Sequence, residues 1–225
     1  MKTANVTVII PTWNFGMFLH ACIDSVLAQT IMPEKIIIMD DHSSDNSFEI
    51  ASEYALKYPD LFLVIRNDSN LGTLGNEIKG VSEVKTDWMF FLDADDMIAP
   101  TYIEKGSEFF NSDERLAIIY SDIQKIGNWD GKWEVSDWNE EQLRRGNYIN
   151  GHAFIKKSIY DEAGGLRSQV NGSTDFFEDF QLWIDILDLK KGYYGRRIPE
   201  ALIMYRRHDF GHRTDRTDKE KRKDL

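Results

Sequence analysis

The sequence predicts an α/β fold, in which helices flank a mixed, mainly parallel β-sheet within a single domain. In roughly the first hundred residues, four short apolar runs alternate with stretches that have helical periodicity. The runs are apolar throughout, which is typical of parallel strands buried on both faces of a sheet. Beyond that region the regular alternation ends, so we expect the sheet to become mixed.

The individual elements follow from local patterns of apolar residues and turn residues. In the first half, strands are predicted over residues 6–10, 35–39, 61–65 and 88–92, and helices over residues 15–29, 48–58 and 74–84. In the second half, helices are predicted over residues 100–110, 158–163 and 176–189, and strands over residues 116–120, 153–156 and 201–205. A Gly-, Trp- and Asn-rich stretch at 127–138 is predicted to be a loop.

The composition limits the classes of partner and the cellular compartment. The chain has 225 residues, with 27 Lys and Arg against 38 Asp and Glu, and a formal net charge of −11. General affinity for nucleic acid or for an anionic lipid surface is therefore not expected. Cys22 is the only cysteine, so no intrachain disulfide can form, and a reducing compartment fits. Neither a signal peptide nor a membrane-spanning run is visible, which predicts a cytoplasmic protein.

Polar residues cluster where three of the predicted strands end. The first strand runs into Pro11-Thr12-Trp13-Asn14, the second into residues 40–45, and the fourth into Asp93-Ala94-Asp95-Asp96. In doubly wound sheets, ligands bind beyond the carboxyl ends of the strands. These three clusters therefore predict one binding site at that edge of the sheet.

The cluster after the fourth strand predicts a metal site. Three carboxylates within four residues repel one another unless a cation or solvent relieves them. Ligation by oxygen atoms suits Mg²⁺ or Mn²⁺, completed by water and phosphate oxygens. The alternative is a solvated turn that caps the next helix. The position directly after an apolar strand favours the metal site.

The Asp40-Asp41 pair has two interpretations: one carboxylate contacts a nucleotide base or ribose, or the pair caps a helix within a turn. The chain has no Gly-x-Gly-x-x-Gly after the first strand and no Gly-x-x-x-x-Gly-Lys-Ser/Thr motif. Nucleotide binding would therefore depend on a metal ion and on side chains.

Residues 6–208 resemble the inverting glycosyltransferases of the GT-A fold, in particular family 2. Four segments in order carry the likeness: Val-Ile-Ile-Pro-Thr-Trp-Asn at 8–14, Ile-Met-Asp-Asp-His-Ser-Ser-Asp at 38–45, Leu-Asp-Ala-Asp-Asp at 92–96, and Phe-Glu-Asp at 177–179 followed by Leu-Trp at 182–183. The resemblance implies transfer of a sugar, with inversion, from a nucleoside diphosphate donor to an acceptor hydroxyl. UDP is the favoured nucleotide.

The resemblance also implies roles for individual residues. Nucleotide contacts are expected from Pro11, Thr12, Trp13, Asn14, Asp41, Asn76, Asp93 and Ala94. Asp95, Asp96 and His208 are the expected ligands of Mn²⁺ or Mg²⁺, with Asp93 alternatively binding the ribose or the metal. Asp179 is the expected catalytic base, and Glu178 is the competing candidate. The alternative is that both carboxylates only stabilise the N-terminus of a helix through its macrodipole.

The same likeness suggests an organisation for the whole chain. Residues 1–210 would form the GT-A domain, with a nucleotide-binding half at 1–98 and an acceptor half at 99–210. From His208 onward the composition is almost entirely charged and polar, which predicts that residues 211–225 form a solvated or disordered tail, with a lid over the donor as the alternative. The segments Gly151-His152 and Gly164-Gly165 would lie on the acceptor side.

Two features leave alternatives open. Gly75 stands where the family often has an Arg that contacts the diphosphate, so Arg66 or the arginines of the tail are the candidates to replace it. The indoles of Trp129, Trp133 and Trp138 are either platforms for sugar rings or packing residues.

Other functional classes are a catalytically inactive sugar-nucleotide-binding scaffold and a sugar nucleotidyltransferase. The retained acidic residues disfavour the scaffold, and the absence of a Gly-rich basic phosphate loop disfavours the nucleotidyltransferase. The acceptor would be a saccharide or a lipid-linked saccharide. A lipid-linked acceptor would require transient membrane contact, which is expected to be at most peripheral and at the inner membrane face. A homodimer is also compatible with the sequence.

Overall fold

The computed structural model describes residues 2–167 and 178–209. The predicted tail at 211–225 and Phe177 lie outside the described residues.

In the described part of the chain, one sheet of nine strands runs through the domain. The strands are β1 (Thr3–Thr12), β2 (Met32–Asp40), β3 (Phe62–Arg66), β4 (Trp88–Phe91), β5 (Met97–Ile98), β6 (Leu116–Gly127), β7 (Gly131–Trp133), β8 (Phe154–Lys156) and β9 (Tyr194–Arg207). Their order is β3-β2-β1-β4-β8-β6-β9-β5, and β7 pairs with β6. The first four strands of this order are parallel, and β8 joins them to the second half through antiparallel pairs.

Helices cover both faces of the sheet. They are α1 (Gly16–Leu27), α2 (Ser47–Lys57), α3 (Gly72–Val81), α4 (Tyr102–Ser107), α5 (Glu140–Arg145), α6 (Lys157–Glu162) and α7 (Glu178–Asp188). Helices α1, α2 and α4 pack on one face, and α3, α5, α6 and α7 pack on the other. In β1, Val8 and Ile10 point into the first core and Ile9 into the second, so a continuous apolar run is required. The predicted fold class, a single α/β domain with a mixed sheet, is confirmed.

The structure contains elements that the sequence patterns did not reveal. Strand β7 and its turn to β6 form a hairpin within the stretch that was predicted to be a loop, and β5 and α5 were also missed. The start of α5 carries a recognisable signal, because Asn139 accepts a hydrogen bond from the Gln142 N–H at 2.8 Å as an N-cap. Strand β9 begins at Tyr194, well before the predicted strand at 201–205.

The missed half of β9 has a physical explanation. Pro199 cannot donate to the sheet, and the pairing with β6 shifts there, since Ile198 lies opposite Ser121 and Ala201 opposite Asp122. The strand therefore continues through an irregularity at which the sequence pattern alone predicts that a strand ends. Its far end brings residues 204–207 beside the end of β4. Among the described helices, none is both long and apolar enough to cross a membrane.

Candidate functional site

A cavity of about 970 Å³ opens at the carboxyl ends of β1, β2 and β4. Most of the predicted site residues line it: Pro11, Thr12, Trp13, Asn14, Asp41, Asn76, Asp93, Ala94, Asp95, Glu178 and Asp179. Asp96 and His208 do not line the cavity and lie directly behind the carboxylates that do. The fold therefore brings all of the predicted positions to one region, and their individual roles remain predictions.

The three carboxylates after β4 differ in exposure. The Asp93 side chain is 52% exposed, that of Asp95 is 13% exposed, and that of Asp96 is 1% exposed. Asp96 Oδ1 accepts a hydrogen bond from the backbone N–H of Arg206 at 2.6 Å, which joins β9 to the cluster. Burial, together with the charges of Asp93 and Asp96, raises the pKa of Asp95 to about 6.

Two histidines from distant parts of the chain complete the cluster. His208 follows β9, and its Nε2 lies 3.0 Å from Asp95 Oδ2, while its ring stacks on Phe18 at 4.6 Å between centroids. His152 precedes β8, and its Nε2 lies 2.9 Å from Asp96 Oδ2 and 3.9 Å from Asp93 Oδ2. Each histidine is thus held against a different carboxylate.

His152 was not singled out as a ligand by sequence reasoning, which placed it only on the acceptor side. Burial alone would lower the pKa of His152, but the carboxylates of Asp96, Asp93 and Asp95 outweigh it and raise the pKa to about 9. No local signal could have found this contact, because 56 positions separate His152 from Asp96 in the sequence.

The residues of this cluster fit a divalent cation. Ligand atoms of Asp93, Asp96 and His152 all lie within 4.8 Å of one another. Asp96 Oδ2 is buried and lies 2.9 Å from His152 Nε2, so a protonated imidazole satisfies it in the metal-free protein. A divalent cation would replace that proton and take the carboxylate oxygen and the imidazole nitrogen as ligands.

The carboxylate of Asp41 holds the loop between β3 and α3 through hydrogen bonds. It accepts hydrogen bonds from the backbone N–H groups of Leu71 at 2.8 Å and Gly72 at 2.9 Å, and from Asn67 Nδ2 at 2.8 Å. Asn76, which is 2% exposed, accepts from Asn67 at 2.9 Å and donates to the Met39 carbonyl. The network fixes the wall of the cavity on which Asp41 lies.

The end of β1 forms the neighbouring wall. Asn14 adopts a left-handed conformation with φ of 59°, and its Oδ1 accepts from the backbone N–H of Ser44 at 2.8 Å. Trp13 beside it is 43% exposed. The Thr12 hydroxyl is buried at this wall and has no hydrogen-bond partner among the described residues. A ligand polar group in the cavity could satisfy it.

Arg66 is not placed to make the diphosphate contact of the family's arginine, whose position Gly75 occupies in this chain. Its guanidinium lies 3.3 Å from the buried Asp40 carboxylate and donates to the Ser43 carbonyl at 2.8 Å. It also lies over the Phe48 ring. Among the described residues that line the cavity, none is Lys or Arg, whereas Asp41, Glu77, Asp93, Asp95, Glu178 and Asp179 are acidic.

Asp179 lies across the cavity on the first turn of α7. Its Oδ1 accepts from the backbone N–H of Phe180 at 2.7 Å, and its Oδ2 accepts from Asn147 Nδ2 at 3.3 Å. Gly151 lies beside it, where a β-carbon would make an ordinary van der Waals contact with Asp179 Oδ2 at 3.5 Å. Glu178 lines the same cavity, so the choice between the two carboxylates as base stays a prediction.

The three tryptophans of the 127–138 stretch have different environments. Trp138 packs on the sheet, where a β-carbon at Gly195 would lie 2.5 Å from its ring. Trp129 and Trp133 are each 45% exposed, and Trp133 lines the cavity. Trp138 therefore has a packing role, and the roles of Trp129 and Trp133 stay predictions.

Comparisons with known proteins agree with this architecture. In a search of curated proteins, MG025 of Mycoplasma genitalium, described as an uncharacterized glycosyltransferase, is 29% identical over 203 residues, which are 87% of this chain and 66% of MG025. Among solved structures, Staphylococcus aureus TarS 1–349 in complex with UDP-GlcNAc superposes with a TM-score of 0.74 at 13% identity, covering 94% of this chain and 60% of TarS 1–349. The mannosyltransferase PcManGT of Pyrobaculum calidifontis, in complex with GDP-Man and Mn²⁺, gives a TM-score of 0.73 at 15% identity, covering 97% of this chain and 61% of PcManGT.

These likenesses confirm the predicted GT-A fold. The chain spans less than two thirds of the length of each of these three proteins. The model of the family described as "Glycosyl transferase family 2" matches residues 7–169, which is more than half of the chain. The chain therefore belongs to glycosyl transferase family 2.

Proposed function

We propose that this chain transfers a sugar from a nucleoside diphosphate donor, with UDP favoured, to an acceptor hydroxyl with inversion at the anomeric carbon. Family membership supports the reaction class. The observation that carries the proposal is the meeting of the Asp93–Asp96 cluster and Asp179 at one cavity of about 970 Å³. This volume is in the range of small-molecule sites.

Electrostatics support dependence on Mn²⁺ or Mg²⁺. A diphosphate would enter a cavity whose described lining contains acidic side chains and neither Lys nor Arg. Asp93, Asp95, Asp96, His152 and His208 are the residues that would hold the ion. When bound, the ion supplies charge neutralisation to the diphosphate as it leaves.

The nucleotide is proposed to bind the opposite wall. Trp13 offers an exposed aromatic face for the base. Asp41 has one more acceptor position, since a carboxylate can accept about four hydrogen bonds and three protein donors contact it. The N3–H of uracil would suit that position, which favours UDP over CDP.

In the chemical step, Asp179 removes the proton from the acceptor hydroxyl as the hydroxyl oxygen attacks the anomeric carbon. The bond between the anomeric carbon and the diphosphate oxygen breaks, and the nucleoside diphosphate leaves. The hydrogen bonds from Phe180 and Asn147 orient the carboxylate. The acceptor is proposed to be a saccharide, either free or lipid-linked.

Hydrolysis of the donor, monitored by ¹H NMR, tests this proposal without a known acceptor, since water can take the acceptor's place. Incubation with Mg²⁺ and a panel of α-linked UDP-sugars should release UDP and, first, the β-anomer of the sugar. Asp179→Asn should slow the release, whereas Asp68→Asn, which removes the same charge at an exposed position, should not. Release of the α-anomer would contradict inversion. Release of a nucleoside triphosphate from donor and pyrophosphate would indicate a nucleotidyltransferase, and binding without turnover would indicate a scaffold.

A further inference from the structure

The hairpin of β6 and β7, together with the end of β9, presents one continuous face next to the cavity. Ile123 on β6 lies opposite Trp133 on β7, and Lys125 on β6 lies opposite Tyr205 on β9. Directly paired residues place their side chains on the same face of a sheet, and so do residues two apart along a strand. Ile123, Trp133 and Tyr205 line the cavity. Lys125 therefore points to the cavity side of the hairpin.

Trp133 has an exposed ring on this face. Its side chain is 45% exposed at the cavity, unlike Trp138, which packs on the sheet. An indole pairs an extended apolar face with a polar edge, and it suits the C–H face of a sugar ring. The position at the rim of the cavity makes Trp133 accessible to a molecule that occupies the acceptor side.

Trp129 differs from Trp133, because two cationic side chains make cation–π contacts with its ring. Lys125 Nζ is 4.8 Å and Arg207 Cζ is 4.4 Å from its centroid. Lys125 Nζ is also 5.9 Å from the centroid of Trp133. Cation–π contacts of this kind fix the position of an ammonium group without neutralising it.

The charge of this face contrasts with its surroundings. The chain carries a net charge of −11, and the described cavity lining is acidic. Lys125 makes no ion pair with a carboxylate anywhere in the described part of the chain. Its ammonium group is therefore available to an incoming anion, next to the ring of Trp133.

We propose that this face is the acceptor subsite and that it selects a saccharide with an anionic substituent, a phosphate or a carboxylate. Trp133 stacks on the acceptor sugar ring, and Lys125 pairs with the anion. Trp129 acts as a positioning residue that holds Lys125. The inference rests on the proposed transferase function, since it names the acceptor class for that site.

Saccharide binding to the full chain, saturated with UDP and Mg²⁺, tests the proposal. The probes are glucose 1-phosphate, glucuronate and methyl glucoside, and dissociation constants come from saturation-transfer NMR titrations. Both anionic probes, or one of them, should bind more tightly than methyl glucoside. A stronger response to glucose 1-phosphate would identify phosphate-linked acceptors, and a stronger response to glucuronate would identify uronic acids.

Three variants separate the contributions. Lys125→Met keeps the alkyl chain and should remove the preference for the anion, a loss of about threefold for an exposed pair. Trp133→Ala should weaken all three probes, by roughly tenfold for the lost ring. Lys132→Met is the matched control, because Lys132 is next to Trp133 on β7, points to the other face and carries the same charge. It should bind like the parent.

Several outcomes would overturn the proposal: no binding of any probe by the parent, equal binding of anionic and neutral probes, or an effect of Lys132→Met equal to that of Lys125→Met. Tighter binding of glucose 1-phosphate in a parallel titration without UDP would also overturn it, because the probe would then occupy the donor site. A separate UDP titration reports on the proposed donor site. Failure of that titration counts against the transferase function, whereas saccharide binding and its dependence on Lys125 are measured independently.

Discussion

Substitution of Asp95 by Asn should stabilise the metal-free protein while it removes the response to metal. Asp95 is ionised at neutral pH although burial and the charges of Asp93 and Asp96 oppose ionisation. Asn is nearly isosteric and cannot ionise. The variant therefore removes an unfavourable charge that a bound cation would neutralise.

The size of the stability gain in Asp95→Asn follows from the pKa of Asp95. The ordinary value of 3.8 rises to about 6, and at 1.36 kcal/mol per pH unit the ionised carboxylate costs about 3 kcal/mol of unfolding free energy at pH 7. This shift already includes the contact to His208 at 3.0 Å, which favours the ionised form of Asp95. A gain of about 3 kcal/mol corresponds to a rise in Tm of roughly 9 °C for a chain of this size.

The pH dependence has a definite sign. Because the folded-state pKa is raised, the native state binds this proton more tightly than the unfolded state between pH 4 and 6. The ionised Asp95 carboxylate therefore lowers the unfolding free energy of the parent by the full amount above about pH 6, and it has no effect below about pH 4. At pH 5 the advantage of Asp95→Asn should be roughly half of its value at pH 7.

Thermal unfolding in EDTA, at pH 5 and pH 7, measures these differences, and a parallel series with Mn²⁺ measures the metal response. Mn²⁺ should raise the Tm of the parent and have little effect on Asp95→Asn. Asp68→Asn, at an exposed position, should behave like the parent in every condition. The reasoning is refuted if Asp95→Asn is less stable than the parent at pH 7 in EDTA, or if Mn²⁺ stabilises both proteins equally.

Three further predictions follow from the site and the fold. Asp179→Asn should lower kcat for donor turnover by about 10²- to 10⁴-fold and leave the calorimetric Kd for UDP with Mn²⁺ unchanged; a weaker Kd would assign Asp179 to donor binding instead. Mn²⁺ affinity should rise about tenfold from pH 7 to pH 8, because His152, with its pKa of about 9, must lose a proton to become a ligand, and His152→Gln should flatten this slope. Arg197→Met should cost about 3–5 kcal/mol in urea unfolding, because it leaves the Asp122 carboxylate, 6% exposed, without its ion pair; a loss below about 1 kcal/mol would contradict this.

The sequence predicted those parts of the site that follow strands in the parallel half of the sheet. The run at 88–92 is buried on both faces, and the acidic residues after it had to emerge at the carboxyl edge. The same logic placed Thr12 and Trp13 beside Asp41. In each case a local pattern, together with the topology of parallel strands, determines the location.

Contacts between distant segments could not be predicted in this way. His152 reaches Asp96 because β8 pairs antiparallel with β4, a pairing that no local pattern reveals. The carboxylate of Asp41 is surrounded by donors from the β3–α3 loop, whose conformation depends on the left-handed Gly72 at φ of 73°. Helix α5 was missed for a different reason, since the Asn139 cap was present in the sequence and only its short length obscured it.

The most direct test of the proposed donor site is a calorimetric titration of UDP, GDP, dTDP and CDP into the protein, with and without Mn²⁺. One nucleotide, UDP in first place, should bind only when Mn²⁺ is present, and Asp95→Asn should abolish that binding. Binding that is equally strong without Mn²⁺ would contradict the role of the acidic cluster, and no binding under any condition would contradict the nucleotide site itself.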